Sequence, residues 1–89
     1  MATVSFTAHL RKVAPPGATR VAAANLGDAL DQVFAKAPKL RSYVVDERNR
    51  LRRHVVIFVN GAKLAPANWA MHVLAADDDV YVMQALSGG

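Results

Sequence analysis

His54-Val55-Val56-Ile57-Phe58-Val59-Asn60-Gly61 is the stretch that decides how this chain folds. Val55 to Val59 are all β-branched or aromatic, a run that favours a strand and is too short for a helix. Apolar residues fall at both parities, so both faces are apolar, as in a central strand covered on one side by a helix. Asn60-Gly61 supplies two residues that tolerate positive φ, the signature of a tight turn. Lys63-Leu64 then reads as the return leg.

Upstream of this strand, Asp46 to Arg53 is charged and reads as an exposed loop or edge hairpin. Tyr43-Val44-Val45 fits a short helical turn or a short extended piece equally well. Before it, Leu26, Leu30, Val33, Phe34 and Ala37 recur at helical spacing and form one apolar stripe. Asn25 is placed to cap that helix and Asp28 to meet its positive end, while Pro38 stops it. At the start of the chain, Val4, Phe6, Ala8 and Leu10 alternate with Ser5, Thr7 and His9, which predicts a half-buried strand over Thr3 to Leu10. Pro15-Pro16-Gly17 breaks it, and Thr19 to Ala24 returns as a second strand. Downstream, Pro66 to Leu74 is irregular, with a short helix around Trp69-Ala70-Met71. Asp77-Asp78-Asp79 is a turn, Val80 to Met83 a last strand, and Gln84 to Gly89 a tail.

Two strands, a packed helix and then further strands make an α+β pattern. The β-grasp satisfies it: a mixed sheet of four to five strands packed by one main helix. In that arrangement the first and last strands lie parallel at the sheet centre, and the C-terminus leaves from one end. The chain reads as one domain over residues 1–89 with a flexible tail at 84–89.

Composition narrows the chemistry. At 89 residues, a domain buries only roughly 60% of its unfolded surface, which disfavours a deep enclosed active site. With no cysteine, disulfides, zinc knuckles and thiol nucleophiles are excluded, and any sulfur handled cannot ride on a side-chain thiol. The first residues lack the basic-then-apolar run of a signal peptide, and no stretch approaches the roughly 20 apolar residues of a membrane span. A soluble, cytoplasmic protein without a membrane partner is the expectation.

The last two residues carry the sharpest chemical signal. With Gly at about 7% of residues, a Gly-Gly ending arises in roughly 0.5% of chains, so Gly88-Gly89 is a candidate site, with a frayed terminus as the alternative. Gly88 frees the backbone and Gly89 leaves its carboxylate uncrowded, so the end is thin enough to enter a partner's channel. There the carboxylate can attack the α-phosphate of ATP, and the resulting acyl-adenylate can accept sulfur. The partner supplies metal, base and oxyanion contacts.

Leu51-Arg52-Arg53-His54-Val55-Val56-Ile57-Phe58-Val59-Asn60-Gly61, Asp79-Val80-Tyr81-Val82 and the terminal Gly88-Gly89 together resemble the MoaD/ThiS sulfur carriers, ubiquitin-like β-grasp proteins. Leu26 to Gly61 is most similar to the branch with carriers for cysteine biosynthesis and related small modifiers. The resemblance implies a non-enzymatic co-substrate with no bound cofactor. It implies as partners a ubiquitin-activating-like adenylyltransferase that uses ATP and a sulfur-accepting synthase for cysteine, molybdopterin, thiamine or a related metabolite. Gly89 is carried over as the modified residue and Gly88 as its flexible neighbour; Leu86, Ser87, Arg52 and Arg53 are candidate partner contacts. Two departures stand out: Asp77-Asp78-Asp79 replaces Asp-Gly-Asp, and Gln84-Ala85-Leu86-Ser87 lacks the proline common in the tail. Two other functions fit the same pattern: a modifier joined to lysines, and a β-grasp binding module that never uses its tail.

Other features have simpler readings. Arg48, Arg50, Arg52 and Arg53, with Lys36, Lys39 and Arg41, could dock an acidic partner or touch phosphates, but without a nucleic-acid motif they read first as a solvated loop. His9, His54 and His72 are too scattered for metal ligation. Asp77-Asp78-Asp79 reads as a turn before a hard-cation site, and Ser5 and Ser87 lack a supporting triad. Trp69 and Met71 are expected to pack under a loop, with an exposed partner patch as the alternative.

Overall fold

A computed structural model describes residues 1–84. The five strands are β1 (Ala2–Phe6), β2 (Thr19–Val21), β3 (Val55–Val59), β4 (Ala62–Lys63) and β5 (Asp79–Gln84). Helix α1 (Ala8–Arg11) follows β1, and α2 (Leu26–Lys36) and α3 (Pro38–Val44) lie between β2 and β3. The strands form one sheet in the order β2-β1-β5-β3-β4. β1 and β5 run parallel, with Val4 beside Val80 and Phe6 beside Val82; every other pairing is antiparallel. First and last strands are thus neighbours in the middle of the sheet, as the β-grasp requires.

The core follows the parity of the strands. Val4, Phe6, Val55, Ile57, Val80 and Val82 point to one face and are buried with Leu26, Leu30, Val33 and Phe34 of α2. The cap of α2 forms as its sequence predicts: Asn25 Oδ1 accepts from the Asp28 N–H at 2.8 Å. Gly27, in the first turn, lies against a 3-10 helix (Trp69–Met71); a Cβ there would stand 2.9 Å from Ala70 Cβ. The turn after β3 has Asn60 at φ 52 and Gly61 at φ 84, the left-handed pair that Asn-Gly accommodates.

Four expectations change, the simplest being the second strand, which ends at Val21 instead of reaching Ala24. The first strand ends at Phe6, and Ala8 to Arg11 coil into α1. Leu10 is still buried, from a helical turn instead of a strand face, because Leu10 and Arg11 donate their N–H groups back to the Thr7 carbonyl. Pro38 ends α2 but also opens α3, where its missing N–H costs nothing at the first helical position. That resolves Tyr43-Val44 as helix and leaves Val45 outside it, bridged to Leu51. Finally, Gln84 is the last residue of β5, paired with Val55, and not the first residue of a tail.

Candidate functional site

The end of β5 is where the fold presents whatever follows it. Gln84 lies between two flanks. On one side it pairs with Val55, which puts Arg53 and His54 immediately beyond the start of β3. On the other, the Gln84 N–H donates to Thr7 Oγ1 at 3.3 Å, and the Thr7 N–H donates to the Val82 carbonyl at 3.1 Å. Arg11, from the next turn, donates Nε to the Phe6 carbonyl at 3.2 Å, which fixes its stem beside the same strand end. Two exposed arginines, Arg11 and Arg53, therefore flank the end of β5. Arg11 had no marker in the sequence, because only the parallel β1–β5 pairing and the unexpected turn of α1 bring it there.

The second component is the open face of the sheet. All helices cover the face holding Val4, Ile57 and Val80. The opposite parity places Val56 beside Met83 and Phe58 beside Tyr81. Val56, Phe58 and Met83 are half-buried and Tyr81 is 36% exposed. This explains the doubly apolar run in β3: only one of its faces is core. The other forms an apolar strip leading to the end of β5. A groove of about 360 Å³ adjoins it, lined by Leu51, Arg52, Arg53, Val55, Val56, Lys63, Leu64 and Pro66. An open apolar patch beside a charged rim is the usual anatomy of a protein-docking surface.

The candidate residues of the sequence divide. Arg52 donates Nε to the Ser42 carbonyl at 2.6 Å and so braces α3 against the start of β3. Arg53 is exposed next to the end of β5. Leu86, Ser87, Gly88 and Gly89 lie outside the described residues. In the basic loop, Arg50 pairs with Asp46 at 3.3 Å, and Arg41 pairs with Asp31 at 3.7 Å while its guanidinium sits 5.7 Å from the Phe34 ring centre. Asp46 also accepts from the Arg50 and Arg48 N–H groups; these bonds and the Arg50 charge hold its carboxyl below the usual range.

Asp77-Asp78-Asp79 is a turn with a built-in clip. Asp78 accepts from Asn60 Nδ2 at 2.9 Å and from the Ala75 N–H at 2.8 Å, and Asn60 Oδ1 accepts from the Asp79 N–H at 2.9 Å. The Asn60 bond first, then the Ala75 bond and the His72 charge, lower the Asp78 pKa. Its oxygens are engaged by protein donors, so the cation alternative finds no support here. Among the described residues no cluster of three His, Cys, Asp or Glu side chains is arranged for a metal. Trp69 packs as expected and donates Nε1 to the Asn49 carbonyl at 3.2 Å, but Met71 does not: it is 74% exposed, beside Val73 at 76%. The 3-10 turn sends neighbouring side chains to opposite sides, which proximity in sequence concealed. No helix among the described residues is long and apolar enough to cross a membrane.

Against known proteins, the ThiS family profile matches residues 4–89. The chain belongs to the ThiS family. ThiS-family membership agrees with the solved structures it resembles. SAMP1 from Haloferax volcanii, a small archaeal modifier protein, is 30% identical and superposes with a TM-score of 0.82, covering 99% of this chain and 98% of that one. The Amycolatopsis orientalis BexX/CysO complex contains a chain that is 21% identical, with a TM-score of 0.84 and full coverage of both. Mycobacterium tuberculosis CysO is 22% identical, with a TM-score of 0.82 over 97% of this chain and 100% of that one. Comparison with curated proteins gives no match. The ThiS-family chain is thus a ubiquitin-like β-grasp protein of the sulfur-carrier or modifier kind.

Proposed function

We propose that this protein is a sulfur carrier whose Gly89 carboxylate is activated and converted to a thiocarboxylate by partner enzymes. The observation that carries the reading is the family match running to residue 89, behind a strand that ends between Thr7 and Val55. A carboxylate oxygen of Gly89 attacks the α-phosphorus of ATP and pyrophosphate leaves, giving an acyl-adenylate. A sulfur nucleophile then adds to the acyl carbon and AMP departs, leaving a thiocarboxylate for an acceptor. The chain is a co-substrate: it contributes the Gly89 carboxylate with Leu86, Ser87 and Gly88 ahead of it, and the apolar strip of Val56, Phe58, Tyr81 and Met83 as the docking face. The partner contributes the catalytic groups. That a chain of similar fold is found in a BexX/CysO complex supports docking to a partner protein, with the acceptor pathway left to the partner's identity.

A second reading has its own support: the 30% identical relative is named as a modifier. A modifier uses the same adenylate but passes its acyl group to a lysine amine. The deciding experiment combines the chain with a candidate activating enzyme, ATP and a sulfide source, with and without protein lysine acceptors. A thiocarboxylate as the main product supports the carrier; isopeptide conjugates on lysine support the modifier. No ATP-dependent product from any activating enzyme of the host, together with undiminished partner binding after removal of Gly88 and Gly89, leaves only the tail-independent binding module.

A further inference from the structure

The charges of this small domain are unevenly distributed between the two ends of β5, although Arg20, opposite Thr3, and Lys63, opposite Phe58, stand towards the acidic end. β5 starts at Asp79, the last residue of the acidic turn Asp77-Asp78-Asp79, and ends at Gln84, so that turn lies at the end opposite the one beside Thr7 and Arg53. Asp28 occupies the first turn of α2, whose start is held to the His72 carbonyl beside the same acidic turn. Basic residues collect towards the other end. Lys12, Lys36 and Lys39 share one groove between the loop after α1 and the α2–α3 junction. Pro38 connects that groove to the next, which holds Arg41 and Arg52 together with Asp46 and Glu47, and Arg52 connects it in turn to the groove of Arg53. Linked through these shared walls, the cations form a belt from Lys12 to Arg53 in which cations outnumber acids; Asp46, paired with Arg50, and Glu47 interrupt it, and Arg11 precedes Lys12 beside Thr7. Arg41 is partly neutralised by Asp31; Lys12, Lys36, Lys39 and Arg53 take part in no ion pair among the described residues.

We infer that this belt is a docking surface for a protein partner whose tail-receiving mouth is rimmed with carboxylates. The inference rests on the carrier or modifier reading and names the chemistry of the activating partner. Two features favour an acidic protein over a nucleic acid. The belt ends at Arg53, against the apolar strip of Val56 and Met83, so one partner face can meet both. Charged rim and apolar centre together match a protein interface, whereas single-stranded nucleic acid needs aromatic platforms along the basic track. The belt also gives the domain a dipole that orients it, tail end first, before contact. Steering of this kind accelerates association by about 10- to 1,000-fold and fades as salt rises.

The test measures activation rate and binding together. Lys12→Glu/Lys39→Glu/Arg53→Glu is expected to lower kcat/KM for adenylation by roughly tenfold or more at low salt and to flatten its salt dependence. Arg53→Glu is compared with Arg20→Glu, an equal charge change on β2, the opposite edge strand; only the first is expected to slow activation. Equilibrium binding is measured in parallel with a chain lacking Gly88 and Gly89. Salt-sensitive binding of that chain, weakened by the triple reversal, supports the belt even if no adenylate forms, in which case the carrier and modifier readings fail alone. Normal activation and binding by the folded triple variant overturns the belt. So does equal slowing by Arg20→Glu, which would show that net charge and not location matters. Belt-dependent binding of a 20-nucleotide RNA with unchanged activation would assign the belt to nucleic acid and overturn the proposal as well.

Discussion

Replacing Gly27 by alanine should destabilise the protein, although the same change in an ordinary helix stabilises it. In an open helix position the gain is about 1 kcal/mol. Here the new Cβ would stand 2.9 Å from Ala70 Cβ and 3.1 Å from the Ala70 carbonyl oxygen. Neither neighbour is the end of a flexible side chain, so α2 or the 3-10 helix must shift. Overpacking of this kind costs about 1–3 kcal/mol. The net loss expected for Gly27→Ala is therefore about 1 kcal/mol, and a larger one for Gly27→Val. With a urea m-value of about 1 kcal/mol/M for a domain this small, the midpoint falls by roughly 1 M. Ala70→Gly alone loses a methyl and gains unfolded-state freedom, a cost of about 1 kcal/mol. Combined with Gly27→Ala it removes the closest clash, so the double variant should be less destabilised than the sum by about 1 kcal/mol. Urea unfolding followed by far-ultraviolet circular dichroism reads all three, and avoids the indole of Trp69 next door. A stabilised Gly27→Ala variant, or strict additivity with Ala70→Gly, would refute the close approach.

Other outcomes follow from the same geometry. Asn25→Ala removes the acceptor for the Asp28 N–H and should cost about 1 kcal/mol, measured by thermal or urea unfolding. Asp78 and Asp46 have folded-state pKa values below their unfolded ones. Their stabilisation is complete above the unfolded carboxylate pKa of about 4 and is lost as pH falls through the folded values. Stability should thus decline on acidification below about pH 4, less steeply in Asp78→Asn; an acid profile that this change leaves untouched would contradict the clip. Phe58→Ser, on the open face, should leave a cooperative fold while weakening partner binding at least several-fold in calorimetry.

What the sequence made legible was local. The cap at Asn25, the stripe of α2, the β3 run and the Asn60-Gly61 turn are each specified by neighbouring residues, and each formed. The strand expected to reach Leu10 stopped short because Thr7 accepts backbone bonds from Leu10 and Arg11 and coils the chain, which keeps Leu10 buried but exposes Ala8. Pro38 was ambiguous, since proline both ends one helix and opens another. The docking features were least legible. The doubly apolar β3 run did not say which of its faces meets the helix; Ile57 does, while Val56 and Phe58 lie on the open one. Arg11 joined the site through pairing between the two ends of the chain, a relation with no local signature. The terminal glycines stood out by composition and chemistry alone, and their role remains the proposal that family membership supports.

The most direct test of the carrier reading is the intact mass of the protein after incubation with ATP, sulfide and its activating enzyme. The account predicts a gain equal to the exchange of one oxygen for sulfur, located at Gly89 and lost when Gly89 is deleted. An unchanged mass alongside demonstrated adenylation, or a gain that survives deletion of Gly89, would contradict it.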